Sequence, residues 1–280
     1  MIRLVAIDLD GTLLDSAWRV PQANQQALRR AVDRGVHLVL VTGRRFDFTR
    51  SITEQLPVSL ALIVNNGALI KSADGATLQR RLLPREVARR VLDLTLAYRA
   101  STAVVFDRPA ANQVVFERLD WNDPARRGYF ERNRAFLGEI SPLEASLSED
   151  PIQVMYTGPV EPMRGVRALL GDGASRGEFA LAVTEYPARD FSIVDVIHRD
   201  CSKGNALREW AVRLGVEREE ILAIGDNLND REMLEFAGLA VVMGNAVPEL
   251  KSIGWPVTLT NDDGGVAAAI ERYVLGDRNR

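Results

Sequence analysis

The chain opens on an almost wholly apolar run, Ile2 to Ile7, that stops at Asp8-Leu9-Asp10-Gly11-Thr12. In a strand, alternate residues share a face, so Asp8 and Asp10 point to one side of the pleat. Two carboxylates held that close repel and raise each other's proton affinity unless a cation lies between them. A hard divalent ion with oxygen ligands, Mg²⁺ above all, meets that need. The competing reading is a strand that ends in an Asx-type turn with both carboxylates in water.

The same grammar recurs. Val36 to Val41 is apolar apart from His37 and stops at Thr42-Gly43-Arg44. Ile221 to Ile224 stops at Gly225-Asp226-Asn227-Leu228-Asn229-Asp230. Between them stands Ser202-Lys203-Gly204-Asn205. Apolar strand, polar stop and amphipathic helix, in repetition, predict an open α/β sheet whose ligands bind at the carboxyl ends of the strands. Lys203 stands out further, because Lys71, Lys203 and Lys251 are the only lysines among 35 basic residues. A compact ammonium approaches an anion as a point charge, which a planar guanidinium does less well.

In order and spacing these four stops resemble the four motifs of the haloacid dehalogenase-like hydrolase superfamily. Asn65-Asn66-Gly67-Ala68 and the surroundings of Lys203 are similar to its Cof-type branch, which carries a large cap inserted between motifs two and three. The resemblance implies a Mg²⁺-dependent phosphatase. Asp8 would be the nucleophile, forming an aspartyl-phosphate. Asp8, Asp226 and the backbone carbonyl of Asp10 would hold the metal. The Asp10 carboxyl would be general acid and then general base, which requires a raised proton affinity. Its presence argues against dehalogenation. Lys203 would neutralise Asp8 and the phosphoryl oxygens. Leu9, Thr42, Gly43, Asn66 and Asn229 would line the substrate. Asp230 would hold a metal-bound water or orient Lys203, while ordinary helix capping explains it equally well. Arg44 reads as a surface residue and stays outside the set. Asn227 stands where many relatives carry Ser, a change expected to matter little.

Composition narrows the alternatives. A hydrophobic content of 46% with 26% charged residues is that of a globular protein. The net charge of −3 and the scattered arginine doublets give no nucleic-acid footprint. Cys201 is the only cysteine, so no internal disulfide forms and a reducing, cytoplasmic setting is expected. Asp8 and Asp10 interrupt the N-terminal apolar run too early for a signal peptide, and no stretch is long enough for a membrane span. His37 and His198 are too few and too far apart for a zinc site.

The fold expected is a Rossmann-like, doubly wound parallel sheet with an inserted α+β cap. The core comprises residues 1–82 and 191–280, and the cap 83–190. Within the cap, helix-strand-strand occurs twice, near 84–116 and 161–196, which predicts one antiparallel sheet with helices on one face. Residues 122–149 read as helix then loop, and 257–259 as a last core strand. The polar turn 184–190 and Asn66-Gly67 are candidates for reading the leaving group. The substrate expected is a small phosphate ester, most simply a sugar phosphate. A phosphotransferase or mutase shares the same motifs, and an idle sugar-phosphate-binding regulator is the non-enzymatic alternative. Oligomeric state is not legible.

Overall fold

A computed structural model describes residues 1–276 apart from Pro57, Ala110, Pro124 and Ala125. It divides into two compact units, Met1–Arg80 with Cys201–Arg280, and Arg81–Asp200.

In chain order the first unit begins with β1 (Leu4–Ile7), α1 (Gln22–Asp33), β2 (His37–Val41), α2 (Phe46–Thr53), β3 (Ala61–Val64), β4 (Leu69–Ser72) and β5 (Thr77–Arg80). The second unit contains α3 (Arg85–Leu94), β6 (Thr102–Val105), β7 (Val114–Phe116), α4 (Arg127–Asn133), β8 (Leu137–Glu139), β9 (Gln153–Gly158), α5 (Val160–Ser175), β10 (Ala180–Tyr186) and β11 (Phe191–Ile197). The first unit resumes with α6 (Lys203–Leu214), β12 (Ile221–Gly225), α7 (Arg231–Phe236), β13 (Leu239–Val242), α8 (Pro248–Lys251) and α9 (Gly265–Ile270).

The first unit is built on a seven-stranded sheet of order β13-β12-β1-β2-β3-β4-β5. The five strands from β13 to β3 are parallel, and β4 and β5 add an antiparallel hairpin at the edge. The sheet is therefore mixed, with the parallel centre expected of a doubly wound core. Every residue of β1, β3 and β12 is buried, the mark of strands covered on both faces. Helices pack in two pairs, α1 with α9 and α6 with α7, completing the doubly wound arrangement. β1 lies between β12 and β2, with Ile7 in register with both Ile224 and Leu40. The three polar stops of the sequence therefore emerge side by side at one end of the sheet, beyond its carboxyl edge. Residues 257–259 do not form a strand. Val257 makes only an isolated bridge to Val242.

The second unit has a six-stranded sheet of order β10-β11-β9-β6-β7-β8. It is antiparallel except for β7 beside β8, which run parallel. Leu137–Glu139, read as loop, is thus a strand. Phe191–Ile197, expected on the core side of the second boundary, is hydrogen-bonded between β10 and β9. Alternate strand residues Val104, Val154, Tyr156, Val194 and Val196 share a core with Ala88, Val91 and Leu92 of α3 and Met163, Val166 and Leu170 of α5. Both helices therefore cover one face, as the repeated pattern implied. Among the described residues, no helix is long and apolar enough to cross a membrane.

Candidate active site

β1 delivers Asp8 into a buried polar cluster. β12 delivers Asp226 beside it, and the turn after β12 brings Asp230. Among the described residues, Asp8, Asp226 and Asp230 form the one acidic group whose geometry suits a metal, each offering an oxygen within 4.8 Å of the others. All three are nearly inaccessible, with residual exposures of 4%, 6% and 0%. That depth excludes the solvated-turn reading of the N-terminal aspartates for Asp8.

Lys203 opens α6, whose N-terminus is capped by the Ser202 hydroxyl accepting from Asn205 N–H at 3.0 Å. Its Nζ donates to Asp8 Oδ1 and to Asp230 Oδ1, each at 2.6 Å. Asp230 Oδ2 accepts from the backbone N–H groups of Asp226 at 2.9 Å and Asn227 at 3.1 Å. Asp230 therefore links the turn after β12 to Lys203. Both its oxygens are taken by protein donors.

The charges do not balance. Burial pushes the Asp8 carboxyl up to about 7; Asp230 adds to the rise and Lys203 opposes it. Burial, then Asp8 and Asp230, drive Asp226 well above the usual carboxylate range, against a hydrogen bond from Thr12. Burial disfavours the Lys203 charge, yet the two carboxylates outweigh it and hold the ammonium above its ordinary value. One ammonium among three buried carboxylates leaves an excess of negative charge and a set of hard oxygen donors. That donor set fits a divalent cation such as Mg²⁺.

Gly11 makes room for this packing. It sits at φ +81°, and a Cβ there would lie 2.4 Å from Asp226 Oδ2. The next residue, Thr12, donates its hydroxyl to Asp226 Oδ1 at 3.0 Å. Gly43 is similarly close to Asn66: a Cβ would meet Asn66 Oδ1 at 3.0 Å. Asn66 lies in the left-handed region at φ +53° and accepts from Asn229 Nδ2 at 3.1 Å. Thr42 is buried, and its hydroxyl accepts from Arg44 N–H at 3.1 Å. Leu9 is buried, and its carbonyl accepts from Thr12 and Leu14 N–H groups.

Asp10 differs from Asp8. Its carboxylate is gripped by Arg44, with Nε donating to Oδ2 at 2.7 Å and Nη2 to Oδ1 at 2.5 Å. The guanidinium lies 4.7 Å from the ring centroid of Trp18. Arg44 was set aside as a surface residue, and the structure instead turns the Asp10 carboxylate away from the acidic cluster and onto its guanidinium. Thr12 also escaped the sequence reading. In the other unit, only the second half of the expected turn 184–190 is a turn, because Thr184, Glu185 and Tyr186 complete β10. Glu185 accepts from Arg164, Asp190 Oδ1 accepts from Val160 N–H, and Tyr186 stacks on Phe191.

Comparison with known proteins settles the family. The profile of the haloacid dehalogenase-like hydrolases matches residues 5–270. The chain belongs to this family. It is 33% identical to the phosphatase YwpJ of Bacillus subtilis, over 95% of this chain and 98% of that protein. It is 30% identical to the 5-amino-6-(5-phospho-D-ribitylamino)uracil phosphatase YcsE of the same organism, over 98% and 96%. A solved haloacid dehalogenase-like hydrolase from B. subtilis superposes with a TM-score of 0.80 at 28% identity, covering 98% of this chain and all of that one. The protein is a phosphatase of the Cof-type branch and acts on small phosphorylated metabolites.

Proposed function

We propose that this phosphatase hydrolyses a sugar or polyol phosphate in two displacements, with Asp8 as the nucleophile and Mg²⁺ as the cofactor. The observation that carries the reading is Asp8 itself. It is buried at a strand tip, with Oδ1 fixed by Lys203 and Oδ2 receiving no hydrogen bond from the described residues.

Asp8, Asp226 and the backbone carbonyl of Asp10 would hold the metal. Asp230 supports them, because its oxygens already serve Lys203 and the backbone. Bound there, Mg²⁺ supplies the positive charge that lets a carboxylate approach a phosphate. Lys203 stays charged beside Asp8 and offsets what the phosphoryl group adds. Asp8 Oδ2 bonds to phosphorus as the ester P–O bond breaks, and the leaving oxygen takes a proton from Asp10. Water then attacks phosphorus, Asp10 receives its proton, and Asp8 is released with inorganic phosphate. Asp10 acts only when its carboxyl is free, so the Arg44 pair must open during the cycle. Thr42, the Gly43 N–H and Asn229 stand at the same end of the sheet and would cradle the phosphoryl oxygens.

A polyol or sugar leaving group is supported by the relative that acts on a phosphoribityl compound. The test is phosphate release from a panel of sugar, polyol and nucleotide monophosphates, with Mg²⁺ or chelator, for the parent and Asp8→Asn. Mg²⁺-dependent release by the parent alone, fastest on sugar or polyol phosphates, is expected. Undiminished release by Asp8→Asn would remove Asp8 as nucleophile, and release in chelator would remove the metal.

A further inference from the structure

Three asparagines outside the acidic cluster hold the turn that carries Asp10. Asn245 Nδ2 donates to the Gly11 carbonyl at 2.7 Å. Asn24 Nδ2 donates to the Leu13 carbonyl at 3.2 Å, and Asn261 Nδ2 to the Leu14 carbonyl at 2.8 Å. Ser16 N–H donates to Asp262 Oδ1 at 2.7 Å, which continues the strap.

The asparagines are themselves fixed. Asn261 N–H donates to Asn245 Oδ1 at 3.0 Å. That contact settles which end of the Asn245 amide is oxygen and aims its NH₂ at Gly11. Ala267 N–H does the same for Asn24 at 2.9 Å. A chain of hydrogen bonds thus runs from Asn245, Asn261 and the start of α9 into the turn that follows Asp10, reaching the Gly11–Thr12 peptide.

The contact at Gly11 matters most. Glycine is the residue with the greatest backbone freedom, and at φ +81° this one sets the direction in which the chain leaves Asp10. Among the described residues, its carbonyl is the one point where Asn245 grips the turn. Asn24 is fully buried and belongs to the core, whereas Asn245 is exposed. Truncating Asn245 therefore removes little packing, and water can satisfy the freed carbonyl. What is lost is direction.

We propose that Asn245, seated by Asn261, is a positioning residue that aims the Asp10 carboxyl at the leaving oxygen. The inference rests on the phosphatase reading, with Asp10 as the acid. It predicts a selective defect. An alkyl phosphate has a strongly basic leaving oxygen and needs Asp10's proton; p-nitrophenyl phosphate does not. In Asn245→Ala, kcat/KM for the best alkyl phosphate of the parent should fall about tenfold further than kcat/KM for p-nitrophenyl phosphate. Asn245→Asp keeps the side chain's size and the acceptor for Asn261 N–H but offers Gly11 no donor. It should show the same selective loss, with a melting temperature near the parent's. Asn261→Ala should reproduce the effect in part, and the double variant should be no worse than Asn245→Ala, because the two act as one unit. Equal losses on both substrates, or none on either, would overturn the proposal. A parent that releases phosphate from no ester would count against the phosphatase reading itself, which an active parent with unaffected variants would not.

Discussion

Lys203→Met is the sharpest test of how the cluster is balanced. Methionine keeps the length of the side chain and removes the charge. In the parent, the ammonium sits 2.6 Å from an oxygen of Asp8 and 2.6 Å from an oxygen of Asp230. At an effective dielectric of about 20, each contact is worth about 6 kcal/mol of Coulomb attraction. Burying the ammonium costs several kcal/mol, which cancels much of that sum. Deleting one partner of such a network typically costs about 3–5 kcal/mol, because the remaining charges stay buried without compensation. The expected loss in unfolding free energy, from urea denaturation in chelator at pH 8, is therefore about 4 kcal/mol. Protonation relieves it. Without Lys203 the carboxylates take up protons at a higher pH than in the parent, so the loss should be about 1 kcal/mol smaller at pH 6. Mg²⁺ should restore part of the stability and none of the turnover. A loss below about 1 kcal/mol at pH 8, the scale of an exposed ion pair, would refute the reasoning.

Three further outcomes follow from the same cluster. Gly11→Ala should destabilise the protein by about 2 kcal/mol or more and weaken Mg²⁺ binding, since the new methyl meets Asp226 in a left-handed backbone; a neutral effect on both would show that the turn can move. The pH dependence of the metal-free protein has a definite sign. Asp8 rises from 3.8 unfolded to about 7 folded, so the folded state holds the extra proton between those values. Asp8 alone should lower stability by up to about 1.4 kcal/mol per pH unit as pH rises through that window, and Asp226, raised as well, steepens the fall in the same direction. Mg²⁺ competes with that proton, so the rise in melting temperature it produces should be larger at pH 8 than at pH 6; equal rises would place the ion away from Asp8.

Much of the site was legible because carboxylates at the end of a buried strand contradict core building. Asp8 and Asp226 announce themselves in this way, and the three adjacent stops follow from parallel strands that share one end. Lys203 stood out in a chain that otherwise uses arginine. Arg44 did not, because nothing in the sequence says that the Asp10 carboxylate turns away from Asp8 toward a second cation. Asn245 and Asn261 were invisible for a deeper reason: their partners are backbone carbonyls, which every residue carries. In the fold, β8 was missed because Leu137–Glu139 is three residues long with a central glycine, too short for alternation to register. Residues 257–259 misled in the opposite direction, since Val257 and Leu259 are exposed and gain only one bridge. The strand near 190–196 was legible as part of the second helix-strand-strand pattern, and β11 does pair antiparallel with β10 and β9, so the inserted unit runs past the boundary drawn at residue 190.

The central claim is that Asp8 carries the phosphoryl group. It is tested most directly by acid-quenching Asp10→Asn during reaction with p-nitrophenyl phosphate and Mg²⁺, then mapping the modified peptide by mass spectrometry. This substrate needs no proton from residue 10, while the second displacement needs its base. The account predicts one phosphoryl group accumulating on Asp8, and on no other residue, after a burst of nitrophenol stoichiometric with enzyme. Steady nitrophenol release with an unmodified Asp8, in an enzyme that still requires Mg²⁺, would contradict it and point to direct attack by water.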